Sequence, residues 1–385
     1  MRAGDTGSNG GWQFAMSHSA PGGLREIWND VAAGLAERGR IVTRFVLYPD
    51  GLRGDGKDAA REGWHHLLDH RPSGLLRQAA LLWALVAWIR RTRPEVIVTA
   101  MPYANVAVAI AATLARTGTR IVATHHSPID THGFAIARLD SVTGKLPSVA
   151  AIVCVSRAVA ASVADRAGGY RRKCRVIHNA LPRNIEGAID HLRVDEGVSP
   201  IPGRCVAVGR LSQQKNYPLL LQAFARMGTG SLDIVGSGED EAALRSLAHN
   251  LGLDSRVRFL GQMGREQALR IVAQAQVFVQ VSLYEGHSLA LIEASRMGLP
   301  LVVSDIPVQS EAITMTDGSL AGQVVPLDRP DILAEVLSGL LADDATRARW
   351  AAKARLVGLA ASNAVMIDAY EELLLQCTCL GMAST

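Results

Sequence analysis

The chain has 385 residues, of which 48% are hydrophobic, 20% charged and 5% aromatic, enough apolar material for two or three packed domains. That balance excludes disorder and fibrous repeats as the organising theme. The formal charge of +4 conceals an asymmetry, because residues 1–184 carry +11 and residues 185–385 carry −7. A basic first half suits a phosphate-rich partner or an anionic membrane surface, or is a drift of surface charge between domains.

The elements read in chain order as strands alternating with helices. Trp12–Ser17 is a short apolar run, followed by a turn at Pro21-Gly22-Gly23 and then Ile27, Val31 and Leu35 at helical spacing. Residues 41–48 read as a strand, 75–91 as a helix and 95–100 as a buried strand. A helix over 106–115 and strands over 120–124 and 151–155 follow. The helix at 75–91, with Trp83 and Trp88 ahead of Arg90, Arg91 and Arg93, could lie on a membrane surface; its direct lead into a buried strand favours a core helix. Between Asn184 and Gly203 the pattern fades into a polar stretch with Pro200 and Pro202, read as the domain junction. Alternation then restarts, with strands at 205–208, 231–235, 257–260, 277–281 and 301–304 and helices at 217–226, 239–251, 265–275 and 289–297.

The expected fold is therefore α/β: two tandem domains, each a parallel sheet with helices on both faces. The expected boundaries are residues 1–184, residues 185–360, and a last helix in 361–385 packing back toward the first domain. Five scattered cysteines (Cys154, Cys174, Cys205, Cys377, Cys379) form no disulfide frame and fit a reducing cytosol. The Gly- and Ser-rich first eleven residues lack the apolar run of a signal peptide. The most apolar stretch, Ala79–Ile89, has eleven residues, short of the roughly 20 that span a bilayer. No basic stripe interleaved with aromatics points to nucleic acid.

Chemistry concentrates in three turns that each lead from a strand into a helix in the second half. In Tyr284-Glu285-Gly286-His287-Ser288-Leu289-Ala290-Leu291-Ile292-Glu293, Ser288 is placed as N-cap, with Gly298 and Pro300 as the stop. The start of such a helix is an anion site, and Glu285 and Glu293 flank it as hydrogen-bond acceptors for neutral hydroxyls, a geometry suited to a phosphorylated sugar. In Gly209-Arg210-Leu211-Ser212-Gln213-Gln214-Lys215, a planar guanidinium and a compact ammonium suit the oxygens of a diphosphate. The third turn, Gly236-Ser237-Gly238-Glu239, is a weak nucleotide signal or a tight turn.

Residues 204–304 resemble the C-terminal domain of family 4 retaining glycosyltransferases, which have two facing Rossmann-like domains (the GT-B architecture) with a cleft between them. The resemblance rests on GRLSQQKN, VGSGEDEAAL, FLGQ and EGHSLALIEASRMGLP. The first half is similar more loosely, through Gly22-Gly23, Thr124-His125-His126, VCVSRAVA and VIHNALP. The resemblance implies that Arg210 and Lys215 hold the donor diphosphate, Glu285 the hydroxyls of the transferred sugar and Glu293 the ribose. It places the amides of Gly286, His287, Ser288 and Leu289 near the phosphates and sugar, and Gly236 in the donor site. Gly22 and Gly23 would let backbone approach the donor. His126 matches the family's histidine near the reacting sugar, with His125 as the alternative register. One departure is the stretch Asp305–Glu311, which lacks the glycine pair that family members often carry there.

The function implied is a retaining hexosyltransferase moving sugar from a UDP- or GDP-linked donor to a glycan or lipid-linked acceptor, in cell-surface polysaccharide or glycolipid assembly. The setting expected is cytoplasmic, peripheral to the inner membrane face. No Asp-x-Asp occurs, so neither a metal nor another cofactor is expected; the nucleotide sugar is a co-substrate. The group His125, His126, Asp130 and His132 matches no common zinc spacing. Two alternatives stand beside this reading: a nucleotide-sugar epimerase or hydrolase on the same architecture, and a non-catalytic nucleotide-sugar-binding subunit.

Overall fold

The computed structural model describes residues 10–20, 22–49, 55–194 and 198–382. The chain divides into two compact units: Ala180–Asn363 form unit 2, and the residues before and after them form unit 1.

Unit 1 runs β1 (Trp12–His18), α1 (Gly23–Glu37), β2 (Val42–Tyr48), α2 (Asp55–Arg61), β3 (Trp64–His66), α3 (Leu75–Thr92), β4 (Val96–Ala100), α4 (Pro102–Ala115), β5 (Arg120–His125), α5 (Phe134–Thr143), β6 (Val149–Cys154), α6 (Arg157–Ala161), α7 (Gly168–Arg171) and β7 (Cys174–Val176). Its seven strands are parallel, in the order β3-β2-β1-β4-β5-β6-β7. All five residues of β4 and the first six of β1 are buried, as expected of a sheet covered on both faces.

Unit 2 runs α8 (Arg183–Val194), β8 (Arg204–Val208), α9 (Tyr217–Arg226), β9 (Ser231–Val235), α10 (Glu241–Asn250), β10 (Val257–Gly261), α11 (Arg265–Ala273), β11 (Val277–Gln280), α12 (Leu289–Met297), β12 (Leu301–Ser304), α13 (Pro307–Ala312), β13 (Gln323–Val325), α14 (Pro330–Ala342) and α15 (Asp344–Ala360). Its six parallel strands are ordered β10-β9-β8-β11-β12-β13. One core, with Leu220, Phe224, Ile234 and Leu337, lies on one face of this sheet; a second, with Phe278, Leu291, Ile292 and Met297, lies on the other.

The last helix, α16 (Asn363–Met382), packs within unit 1 against α1. Trp28 meets Tyr370 edge-on at 5.6 Å, and Arg38 and Arg40 both reach Glu371, at 2.7 and 2.8 Å. The sheet's opposite face is covered by α3, α4 and α5, each packed on the next, as right-handed crossovers from β3 to β6 require.

The stretch read as a fading junction contains a helix. In α8, Ile185, Ile189 and Leu192 recur at i, i+4 and i+7 and are buried, while Arg296 of α12 reaches Glu186 and Asp190 on its polar side, at 3.4 and 2.8 Å. Only three apolar anchors in a polar twelve-residue segment made the period easy to miss. The helix at 75–91 does cover the sheet, through Leu81, Leu85, Val86 and Ile89, yet its other side leaves Leu75, Leu76 and Trp83 in solvent.

Unit 1 holds a buried polar cluster at the end of β5. His125 Nε2 lies 2.8 Å from the Tyr170 hydroxyl, which donates to Asp140 Oδ2 at 2.7 Å. His126 Nε2 is 2.9 Å from Thr124 Oγ1, and its ring stands edge-on to Trp28 at 5.6 Å. Burial holds His125 and His132 below the ordinary histidine range; burial, followed by the neighbouring His125, brings His126 down to about 3. A histidine kept neutral by the fold stabilises fully above its unfolded value, about 6.5. That contribution is lost as pH falls from there toward 3, because the unfolded chain then binds protons the folded one refuses. Melting temperatures recorded between pH 7.5 and 4.5 should therefore fall more steeply for the parent than for His126→Asn. Parallel profiles would contradict the assignment.

Candidate active site

Because β9 and β11 both pair with β8, the sheet of unit 2 reverses direction between β8 and β11. Open α/β sheets bind ligands beyond the carboxyl ends of their strands at such a switch point. The loops leaving β8, β9 and β11 there are laced together by backbone. Gly209 N donates to Val235 O at 2.9 Å, Leu211 N to Ser237 O at 3.0 Å and Asp240 N to Leu211 O at 3.0 Å. From the β11 side, Leu283 N donates to Gln214 O at 2.8 Å, and Gln214 Nε2 to Tyr284 O at 3.0 Å.

Glycine makes this lacing possible. A Cβ at Gly236, whose φ is 137°, would stand 2.0 Å from Gly209 O. A Cβ at Gly209 would stand 2.7 Å from Lys215 Cε, so the bare backbone is the floor along which the lysine lies. The Tyr217 hydroxyl also donates to Gly209 O at 3.2 Å, which fixes the turn from the first residue of α9.

The lacing brings Lys215 and Glu285 together across the switch point. Lys215 Nζ lies 2.6 Å from Glu285 Oε1, with side-chain exposures of 14% and 9%. Ser282 Oγ donates to the same carboxylate oxygen at 2.8 Å. Ser282 is itself tied down, since its carbonyl accepts from Ser304 Oγ at 2.6 Å, at the end of β12. Ser304 Oγ also lies 2.6 Å from the buried Gln309 amide, so the segment that lacks the family's glycine pair forms α13 and braces Ser282.

The remaining residues singled out from sequence take different positions. Ser288 is the N-cap of α12: Leu291 N donates to its Oγ at 3.4 Å, and the hydroxyl donates to Gln280 Oε1 at 2.8 Å. Gly286 is buried, and His287, Ser288 and Leu289 are half-buried at the start of that helix, its positive end. Glu293 is buried within α12 and pairs with Arg265, the first residue of α11, so the structure engages it away from Glu285. Arg210 extends into solvent and pairs with Glu239 at 3.0 Å, separate from the Lys215 pair. The backbone hydrogen bond of Glu239 and then Arg210 hold that exposed carboxyl below its ordinary range.

In unit 1, Gly22 is the N-cap residue of α1, and a Cβ there would meet nothing within 4 Å; Gly23 is the helix's first residue. His126 sits at the end of β5, with the Trp28 and Thr124 contacts described above. Sequence reasoning missed Ser282 and Arg265. A lone serine two residues past a strand carries no local signal, and Arg265 meets Glu293 only through the pairing of two helices distant in sequence. Among the described residues, no group of three or more His, Cys, Asp or Glu is arranged to hold a metal ion.

Two family models match the chain in succession: Glycosyltransferase Family 4 over residues 21–184, and Glycosyl transferases group 1 over residues 195–357. The lipopolysaccharide core biosynthesis glycosyltransferase LpsE of Rhizobium meliloti is 27% identical over 92% of this chain and 96% of its own. The phosphatidyl-myo-inositol mannosyltransferase of Mycolicibacterium smegmatis is 35% identical over 40% of each chain. HepE of Anabaena, whose crystal structure is a complex with UDP and glucose, shares the fold at a TM-score of 0.78 over 95% of this chain and 99% of its own, with 19% identity. Two parallel-sheet α/β units, two consecutive family matches and full-length relatives lead to one conclusion: the chain belongs to glycosyltransferase family 4, with the GT-B fold.

Proposed function

We propose that the chain transfers a hexose from a UDP- or GDP-linked donor to a glycan or lipid-linked acceptor, in the assembly of a cell-surface polysaccharide or glycolipid. In this reading unit 2 takes the donor and unit 1 the acceptor. The observation that carries it is the Lys215–Glu285 pair at the switch point of unit 2, beside the start of α12. An ammonium and a carboxylate held together there offer a cation to a phosphate and an acceptor to a sugar hydroxyl. The complex of HepE with UDP and glucose and the mannosyl and core-sugar relatives support that choice of ligand.

The chemistry follows from charge. As the glycosidic bond to the diphosphate lengthens, negative charge gathers on the leaving phosphate and the sugar becomes oxocarbenium-like. Lys215 and the start of α12 are fixed counter-charges, and Arg210 joins them by exchanging Glu239 for the diphosphate. Glu285 accepts from sugar hydroxyls, and Glu293 accepts from the ribose by sharing its carboxylate with Arg265. Gly22, Gly23 and His126 contribute from unit 1, His126 as a neutral imidazole. The departing phosphate takes the acceptor's proton on the face it leaves. The configuration is thereby retained, with no metal in the step.

Three measurements test this reading. UDP or GDP, alone or as its sugar, should raise the melting temperature selectively. Lys215→Ala and Glu285→Gln should each lower turnover about a hundredfold or more; near-parental rates in both would remove the basis of the proposal, and donor consumption without acceptor would favour a hydrolase or epimerase. Without ligand, Lys215→Ala should cost about 3 kcal/mol, since it strands a buried carboxylate. Arg210→Ala, at an exposed pair, should cost no more than about 0.5 kcal/mol while still slowing turnover. Equal stability losses in the two variants would contradict the difference in burial.

A further inference from the structure

The outer side of α3 carries an apolar stripe with no protein cover. Leu75 and Leu76 are each 89% exposed and Trp83 is 63% exposed, among the most exposed large apolar side chains of the described residues. Leu76, Ala80, Trp83 and Ala87 follow one another at steps of four, three and four, which aligns them on one face, with Ala79 beside them; all five are exposed. The opposite face, Leu81, Leu85, Val86 and Ile89, is committed to the core. Scattered surface leucines need no explanation, whereas a contiguous stripe centred on a tryptophan does.

Charge along α3 and the turns that flank it is of one sign. Between Asp69 and Glu95 the chain has five arginines (Arg71, Arg77, Arg90, Arg91 and Arg93) and no acidic residue, and all five are exposed. Among the described residues none of the five makes an ion pair. Arg91 lies over the Trp88 ring at 5.1 Å, and Arg90 caps the carbonyls of Leu114 and Ala115 at 3.2 and 3.3 Å. The excess continues beyond the helix, with fifteen arginines and lysines against four acids over residues 71–175, which accounts for the whole +11 of the first half. Eight of those fifteen lie in α3, α4, α5 or the turns flanking them, the layer that shows the apolar stripe.

We propose that this face of α3 docks on an anionic phospholipid bilayer, with Leu75, Leu76 and Trp83 entering the interface and the arginines lying among the headgroups. A protein partner of ordinary composition would bring cations as well as acids to the interface, whereas an anionic bilayer matches a helix and flanking turns that carry five arginines and no carboxylate over twenty-five residues. Trp83 has the amphipathic ring that settles at the headgroup level. No helix among the described residues is long and apolar enough to cross a membrane, so the contact is peripheral. The surface shares no residue with the donor site, so the two can be read by separate measurements.

The test is flotation of the full chain with vesicles of phosphatidylcholine alone or with about 30% phosphatidylglycerol, at low and high salt. The parent should float with the anionic vesicles, less so at high salt, and not with the neutral ones. The triple variant Leu75→Ser, Leu76→Ser, Trp83→Ser should lose at least about tenfold in partition, whereas Leu356→Ser with Leu359→Ser, exposed on α15, should not. Fluorescence quenching by brominated lipid should fall in Trp83→Phe, a variant that keeps an apolar side chain and its fold. No flotation with anionic vesicles, undiminished flotation of the triple variant, or a dimer in sedimentation that the triple variant dissolves without any vesicle binding would overturn the proposal. A nucleotide-induced melting shift on the same preparations reads the donor site separately.

Discussion

An ammonium and a carboxylate 2.6 Å apart, both largely withdrawn from water, join loops that leave neighbouring strands on opposite arms of one sheet. Desolvating two such charges costs several kcal/mol each, so a pair of this kind adds little stability over apolar groups of the same size. What it supplies is position. Lys215 comes from the turn after β8 and Glu285 from the turn after β11, and each fixes the other against a floor of backbone. Ser282, held by Ser304 and thereby by β12, sets the rotation of the carboxylate. The site therefore spans three strands of the sheet while each of its charges remains a single side chain on a short loop.

The glycines of the two turns have a packing explanation that precedes any ligand. Gly236 is bare because Gly209 O occupies the space a side chain would need, and Gly209 is bare because Lys215 lies across it. Sequence reasoning leaves the third turn as a weak nucleotide signal or a tight turn; the geometry shows it as the surface against which the second turn is laced. Arg210 and Glu293 show a complementary arrangement. Each is paired, with Glu239 and Arg265 respectively, and neither partner belongs to the Lys215 cluster. Under the proposed function, a diphosphate beside Lys215 would find one cation already placed and a second on a long exposed side chain whose ion pair costs little to exchange.

Legibility in the sequence follows the range of the interactions involved. Strands buried on both faces, such as Val96–Ala100 and Val277–Gln280, announce themselves as unbroken apolar runs, and the helix from Leu289 to Met297 is bracketed by its Ser288 cap and Gly298 stop. Lys215 and Glu285 were legible as residue types after strands because the motif around each is local. Their contact was not, since it depends on β8 and β11 being neighbours although three helices and two strands separate them along the chain. For the same reason Ser282 and Arg265 left no trace, and α8 escaped because a segment with three buried anchors reads as polar. The exposed stripe of α3 was visible as composition, but which apolar residues face the sheet and which face water is settled only by packing.

The most direct test of the central claim is a crystal structure of the protein with a nucleotide diphosphate, taken to the point where the β-phosphate is resolved. The account predicts a β-phosphate oxygen within hydrogen-bond distance of Lys215 Nζ, above the Gly209 turn and at the start of α12. A nucleotide bound elsewhere on unit 2, with the Lys215–Glu285 pair intact and untouched, would contradict it.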